Sequence, residues 1–254
     1  MLSILSQCSF AKKIRGSMKI TGIILAGGKG KRFLEVSGKI PKILFKINQK
    51  PLIDYSFDLF VESKLVDNII VNIGYQAPEI ISHVKGSGYD IDISFSKQTR
   101  FTIFNAINQA LKRKECGEII VLCSADEIRP NLHIDNALKW HMVNPNIATI
   151  IGVRNNRMLD YPLLECDKQM RVVRYLPSFN GTVTKNHFIH SGVLIFNRDI
   201  GKAFRLITDD WLSLTIPLIE TGSSRLFYEV GGDYFNVGTK SEYEEVLRSL
   251  NLQS

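Results

Sequence analysis

No stretch of this chain approaches the roughly 20 consecutive apolar residues that a membrane-spanning helix requires, so no membrane span is expected. Cysteine is scarce: Cys8, Cys116, Cys123 and Cys166 show no paired metal-ligand spacing. A chain of 254 residues also has enough core to fold without disulfides. Reduced thiols in a cytoplasmic protein are the expectation. Internal repeats, low-complexity tracts and linkers are absent, which points to one compact unit. Hydrophobic content of 44% and charged content of 22% are ordinary for a globular protein. The net charge of +7 suits anionic substrates but is spread along the chain. The densest run, Lys112-Arg113-Lys114, reads as a solvated helix end, so no nucleic-acid partner is expected.

Two common phosphate-binding signatures are also missing. There is no glycine loop ending in Gly-Lys-Ser/Thr. The dinucleotide pattern requires Gly-x-Gly-x-x-Gly and an acid about 20 residues on, where this chain has the basic stretch from Lys39 to Lys50. What is present is Leu25-Ala-Gly-Gly-Lys-Gly-Lys-Arg-Phe33, preceded by the apolar, β-branched Lys19–Leu25. Gly27, Gly28 and Gly30 permit a tight turn that brings backbone N–H groups close to phosphate oxygens, and Lys29, Lys31 and Arg32 add positive charge there. Pro41-Lys42 follows ten residues after Arg32.

From Lys19 on, strand-like and helix-like segments alternate as in a doubly wound α/β sheet. Strands are expected at 68–73, 91–95, 118–124 and 147–153, and helices at 51–64, 79–85, 102–113, 133–143 and 243–250. Segments 163–166, 170–175 and 187–196 suggest a smaller antiparallel region. The strand at 118–124 delivers Asp126 to its carboxyl end, where open α/β sheets bind ligands.

These landmarks resemble the nucleotidyltransferases that activate sugar 1-phosphates, whose signature is Leu-Ala-Gly-Gly-x-Gly-Thr-Arg-Leu, then Pro-Lys-x-Leu and Gly-Lys-Pro-Leu-Ile. The counterparts here are Leu25 to Phe33, Pro41-Lys42-Ile43-Leu44 and Gln49-Lys50-Pro51-Leu52-Ile53. Leu122-Cys-Ser-Ala-Asp126 is similar to the strand end that binds metal, and Tyr234-Phe-Asn-Val-Gly-Thr239 to a late Asp-Ile-Gly-Thr motif. The resemblance implies a Rossmann-like, single-domain mixed sheet over 18–254 with a smaller antiparallel sugar-binding region. It also implies nucleoside triphosphate and sugar 1-phosphate as partners, Mg²⁺ as cofactor, and a role in polysaccharide or glycoconjugate assembly. A homo-oligomer is left open.

By the same resemblance Arg32 serves the β- and γ-phosphates and Lys42 the α-phosphate, as the catalytic cations. Leu25, Ala26, Gly27, Gly28, Gly30, Gln98, Thr102 and Ala125 are the nucleotide-binding candidates, Gln98 and Thr102 being equally suited to capping a helix. Asp126 is the metal-ligand candidate, paired with Asn236 where relatives carry aspartate; nearby Asp233 is either a substitute ligand or a turn residue. Relatives bind the sugar phosphate with Glu-Lys-Pro and Asn-Ala-Gly segments, here Tyr175-Leu-Pro177 and His190-Ser-Gly192. Arg174 or Lys185 is a candidate for the missing cation, and His190 and Gly192 for sugar contacts; a histidine on an otherwise apolar strand, as His190 is, is more often a hydrogen-bonded structural one. Two other readings stay open: a cytidylyltransferase acting on a non-sugar phosphate, or a catalytically silent nucleotide-binding regulatory relative. The stretch 1–17 is apolar, then basic, and is expected to be disordered: a transit peptide, or an extension upstream of a start at Met18.

Overall fold

A computed structural model describes residues 18–144, 148–199, 204 and 211–251. The expectations for 1–17, and Ile147 at the start of one expected strand, lie outside the described residues. In chain order the strands are β1 (Ile20–Ala26), β2 (Lys46–Ile47), β3 (Lys50–Pro51), β4 (Asn68–Ile73), β5 (Asp92–Lys97), β6 (Ile119–Ser124), β7 (Glu127–Ile128), β8 (Ala148–Val153), β9 (Leu163–Cys166), β10 (Val172–Leu176), β11 (His187–Asn197), β12 (Ser224–Tyr228) and β13 (Phe235–Asn236). The longer helices are α1 (Leu52–Val61), α2 (Ala77–Gly86), α3 (Ile103–Leu111), α4 (Asp135–Met142), α5 (Leu212–Glu220) and α6 (Lys240–Asn251).

Nine strands form one mixed sheet. Its parallel part has β1 between β4 and β6, with β5 beyond β4. Strands β1 and β4 are buried almost throughout, which is why their sequences are near-continuous apolar runs rather than alternating ones. β11 then adds antiparallel to β6, and β8 and β9 pair antiparallel with β11. β12 returns parallel to β8. This is the expected doubly wound mixed sheet with an antiparallel region; α5 and β12 are additions that the sequence reading did not contain.

The antiparallel region depends on one backbone irregularity. β11 pairs with β9 through His187–Ile189 and with β6 from Val193 onward, and its register against β8 shifts between His190 and Leu194. Gly192 lies at that shift with φ 70°. A Cβ there would stand 2.0 Å from Glu127 Oε2, so both dihedral and space require glycine. Arg129 fixes the bend by donating Nε–H to the Ser191 carbonyl (2.7 Å) and Nη2–H to the Gly192 carbonyl (3.3 Å).

Two large apolar clusters cover the sheet, one including Ile24, Phe57 and Val121, the other Ile23, Ile107 and Leu122. A third, smaller cluster joins Phe33, Ile47, Leu52, Ile128, Phe235, Val237 and Val246. It packs the residue after the glycine loop against the β7–β13 pair and α6, bringing chain segments from both ends to one place.

Candidate active site

The turn after β1, the Lys42 segment and the start of α3 enclose a cleft of about 460 Å³ at the carboxyl ends of β1 and β6. Leu25, Ala26, Gly27, Gly28, Gly30, Lys42, Gln98, Thr102 and Asp126 of the sequence candidates line it, with Lys29, Lys31, Phe101 and Ser124. Ala125 does not; it is buried, and its N–H extends the sheet by bonding the Leu25 carbonyl at 3.1 Å.

Gly30 explains the coupling between loop and lysine. It has φ 58°, and a Cβ on it would come within 2.8 Å of Lys42 Cβ. Any side chain there would displace the lysine. Pro41 precedes a single 3₁₀ turn, Lys42–Leu44, which directs Lys42 into the cleft. Its Nζ donates to Asp126 Oδ2 at 2.7 Å, while its side chain is 9% exposed. Burial acts to raise the Asp126 carboxyl. The Lys42 charge and hydrogen bond, with the hydroxyl of Ser124 on the other oxygen, outweigh it and hold that carboxyl below the ordinary range.

Thr102 and Gln98 divide the roles that the sequence left open. Thr102 Oγ1 accepts the Asn105 N–H at 3.1 Å and so caps α3, while still lining the cleft. Gln98 caps nothing: its Nε2 donates to the Gly27 carbonyl at 3.2 Å, bracing the glycine loop. Phe101 is 51% exposed at the cleft, with Lys29 Nζ 4.5 Å from its ring centre.

Arg32 is exposed and does not line this cleft. It stands beside the late motif, with Nη2 about 3.6 Å from where a Gly238 Cβ would be. Asn236 sits in the same corner, because β13 pairs with β7 and the Val237 N–H bonds the Asp126 carbonyl at 3.0 Å. Asn236 Nδ2 donates to Glu242 Oε1 at 2.9 Å. Glu242 Oε2 accepts from the Gly238 N–H (2.8 Å) and the Thr239 hydroxyl (2.9 Å), a capping arrangement at the start of α6. Asp233 takes the Asn155 amide and the Tyr234 N–H, as a turn residue does.

A second cavity of about 110 Å³ is lined by Glu127, Tyr161, Tyr175, His190, Gly192, Trp211 and Tyr234, among others. Glu127 is the residue after Asp126, so the two carboxylates face different cavities. The Glu127 side chain is buried against Arg129 and accepts the Tyr234 hydroxyl at 2.9 Å. Burial pushes its carboxyl up to about 7, against the downward pull of Arg129. His190 and Gly192 of the sequence candidates are both among the residues that line this second cavity. Arg174 and Lys185 line neither cavity; Arg174 is ion-paired with Glu165 at 2.5 Å and its side chain is 66% exposed. Glu127, Arg129, Trp211 and Tyr234 were not singled out from sequence. Glu127 and Arg129 follow closely on Asp126 in the chain, whereas Trp211 and Tyr234 arrive from distant segments.

A cation-lined turn at the carboxyl end of a parallel strand, facing one aspartate, defines an α/β protein with a basic cleft at the edge of its sheet. The chain belongs to the nucleotidyl transferase family, whose model matches residues 21–215. It is 25% identical over 251 residues to a UTP–glucose-1-phosphate uridylyltransferase of Synechocystis sp., covering 90% of this chain and 62% of that protein. It is 28% identical over 126 residues to a 2-C-methyl-D-erythritol 4-phosphate cytidylyltransferase of Clostridium perfringens, covering 48% of this chain and 53% of the relative. The chain thus spans less than two thirds of the length of these curated relatives. Among solved structures, HddC from Yersinia pseudotuberculosis superposes with a TM-score of 0.71 at 23% identity, covering 91% of this chain and 99% of that one. That likeness concerns the fold. No described helix is long and apolar enough to cross a membrane.

Proposed function

We propose that this protein joins a nucleoside triphosphate to a sugar 1-phosphate, releasing pyrophosphate. The observation that carries this is the Lys42–Asp126 contact beneath the glycine loop: a buried cation and a carboxylate held together inside a cleft lined by two further lysines. In the reaction a phosphate oxygen of the sugar 1-phosphate attacks the α-phosphorus. The new P–O bond forms as the bond to the bridging oxygen breaks, and pyrophosphate leaves. Both reactants are anions, so the barrier is chiefly repulsion and positioning. Lys42 offsets charge at the α-phosphate; Lys29, Lys31 and backbone N–H groups of the turn hold the other phosphates. Arg32 stands beside Gly238 outside the cleft lining, and its planar fork would serve the β- and γ-phosphates once its side chain turns towards the triphosphate. Thr102, Gln98 and Phe101 line the end of the cleft suited to the base.

A divalent cation fits the donor set on one condition. Mg²⁺ commonly takes one or two carboxylates and completes its shell with water and substrate phosphates. Asp126 is such a carboxylate; Asn236, whose register partner is Glu127, stands one position along the paired strand with its amide nitrogen turned to Glu242; among the described residues no cluster of three or more His, Cys, Asp or Glu forms a site by itself. Asp126, with the Asn236 carbonyl oxygen, would therefore hold Mg²⁺ together with the triphosphate. When bound, the ion supplies charge neutralisation at the transferring phosphate.

The test is pyrophosphate release over a panel of triphosphates and phosphate acceptors with Mg²⁺. Turnover with a sugar 1-phosphate is expected. Turnover confined to CTP with a phosphorylated alcohol would replace the acceptor assignment, and nucleotide binding with no turnover on any pair would favour a regulatory role.

A further inference from the structure

β10 and β11 are joined by residues 177–186, which form neither helix nor strand. Two apolar side chains anchor this connection. Phe179 and Val183 are half-buried against the apolar cluster that contains Ile24 and Phe57, and the Phe179 ring lies 4.7 Å from that of His187 at the start of β11. Beyond the second anchor, Thr184 is tied down on both sides. Its N–H donates to His187 Nδ1 at 3.0 Å, and its carbonyl accepts from Arg154 Nη1 at 2.9 Å. Between the anchors Asn180, Gly181 and Thr182 are exposed.

This tip carries the one Asn-Gly pair in the chain. Gly181 is not in the left-handed region, so its dihedrals do not demand glycine. Space does. A Cβ there would stand 2.8 Å from Phe179 Cζ and press on the anchoring ring. The packing of Phe179 thus favours, directly after an exposed asparagine, the residue whose amide nitrogen is least shielded.

That nitrogen can close a five-membered ring on the asparagine side-chain carbonyl carbon, provided that both groups are free. They are: among the described residues no hydrogen bond engages Asn180 or Gly181. A loop tip also samples the backbone torsions that ring closure needs. Asn105 and Asn136, each followed by alanine, are set differently. Both lie within helices, α3 and α4, whose dihedrals hold the next nitrogen turned from the side chain. The Asn105 oxygen is further occupied by the N–H groups of Thr99 (2.8 Å) and Arg100 (3.0 Å).

We propose that Asn180 is a site of spontaneous covalent modification, deamidating through a cyclic succinimide. The deprotonated Gly181 nitrogen attacks Asn180 Cγ, the Cγ–Nδ2 bond breaks, and Nδ2 leaves with a proton as ammonia. Water then adds to one of the two ring carbonyls. Opening at the side-chain carbonyl gives aspartate; opening at the backbone carbonyl gives isoaspartate, whose main chain runs through Cβ and Cγ. The balance is one water consumed and one ammonia released, with no electron transfer. Either product exchanges a neutral amide for a carboxylate. Isoaspartate also adds a methylene to the main chain between the Phe179 and Val183 anchors.

The full chain is aged at physiological temperature and mildly alkaline pH, then digested with trypsin beside an unaged control. The peptide 175–185 holds Asn180 as its one asparagine. It is expected to gain the mass of an amide-to-acid exchange ahead of every other asparagine-containing peptide, faster as the pH rises. The intact protein should develop an acidic satellite on cation exchange. Isoaspartyl methyltransferase should methylate the aged peptide, because direct hydrolysis of the amide yields aspartate alone. Gly181→Ala is expected to slow conversion about tenfold by shielding the nitrogen. Asn180→Gln, which must close a larger ring, should slow it about tenfold or more. Conversion first at another asparagine, aspartate without isoaspartate, or an unchanged rate in both variants would overturn the proposal. Should Gly181→Ala unseat Phe179, Asn180→Gln leaves the main chain and the ring untouched and still decides.

Discussion

Lys42 performs two tasks at once, holding Asp126 and presenting charge to the cleft, so its loss should register in two measurements. Lys42→Met is expected to lower kcat/KM by roughly 10²–10³. The same change removes the principal downward pull on the Asp126 carboxyl, which should then titrate at higher pH by carbon-13 NMR. An unmoved Asp126 would show that the 2.7 Å contact does not persist in solution. Asn236 makes a second residue-scale case. Its amide donates to Glu242, so Asn236→Asp sets one carboxylate against another. Stability at pH 7 should fall by about 1–3 kcal/mol, and part of it should return as the pH drops and the pair shares a proton. Denaturant melts at pH 7 and pH 5 check this. Equal losses at both would mean that the amide bond is not what Glu242 relies on. The buried His141 contributes the opposite slope. Burial pushes it down to about 4 when folded, against about 6.5 unfolded. Between those values the unfolded chain binds the proton and the folded one does not. Stability should therefore fall as pH drops through that window, by up to about 1.4 kcal/mol per pH unit. His141→Gln should flatten the curve, whatever its effect at neutral pH.

Among the elements, α6 is the one whose position the catalytic region borrows. Its first turn is capped by Thr239 and Glu242, and that carboxylate also holds Asn236 and the Gly238 N–H. Further along, Arg157 binds Glu245 and stacks on Tyr161 and Phe235, tying the helix to the wall of the second cavity. Thr239→Ala should cost about 1 kcal/mol. Because Arg32 lies against Gly238, the same change should also raise KM for the triphosphate. A stability loss with unchanged KM would confine the cap to structure. Helix boundaries were less legible than helix existence. The start at Pro51 moved because Pro51 pairs with Lys46 in a hairpin, which leaves Leu52 to open the helix. α5 was missed outright: it contains Pro217, and its residues are largely apolar on more than one side, so no single periodic face announces it.

For the molecule as a whole, the third apolar cluster is the joint that lets segments from both ends of the chain form one site. Nucleotide binding should tighten that joint. At a triphosphate concentration of about 100 times Kd, the stabilisation is about 2.7 kcal/mol, or a rise in Tm of about 5–10 °C for a domain of this size. Hydrogen exchange should slow in the glycine loop and at 98–106 together. Protection of one without the other would separate segments that the cleft brings together.

The parallel strands β1, β4, β5 and β6, the glycine loop, the distance from Arg32 to Lys42 and the place of Asp126 were all legible along the chain. These are local: a buried parallel strand is written as an apolar run, and a tight turn is written in glycine. Tertiary structure alone decided that Thr102 caps α3 while Gln98 braces Gly27, and that Arg174 turns to Glu165 and away from both cavities. It alone placed Arg32 against Gly238, more than 200 residues later in the chain. It also gathered Glu127, Trp211 and Tyr234 round His190. The reason is physical: each of those outcomes depends on which distant group satisfies a charge or a hydrogen bond, and no spacing along the chain encodes that choice.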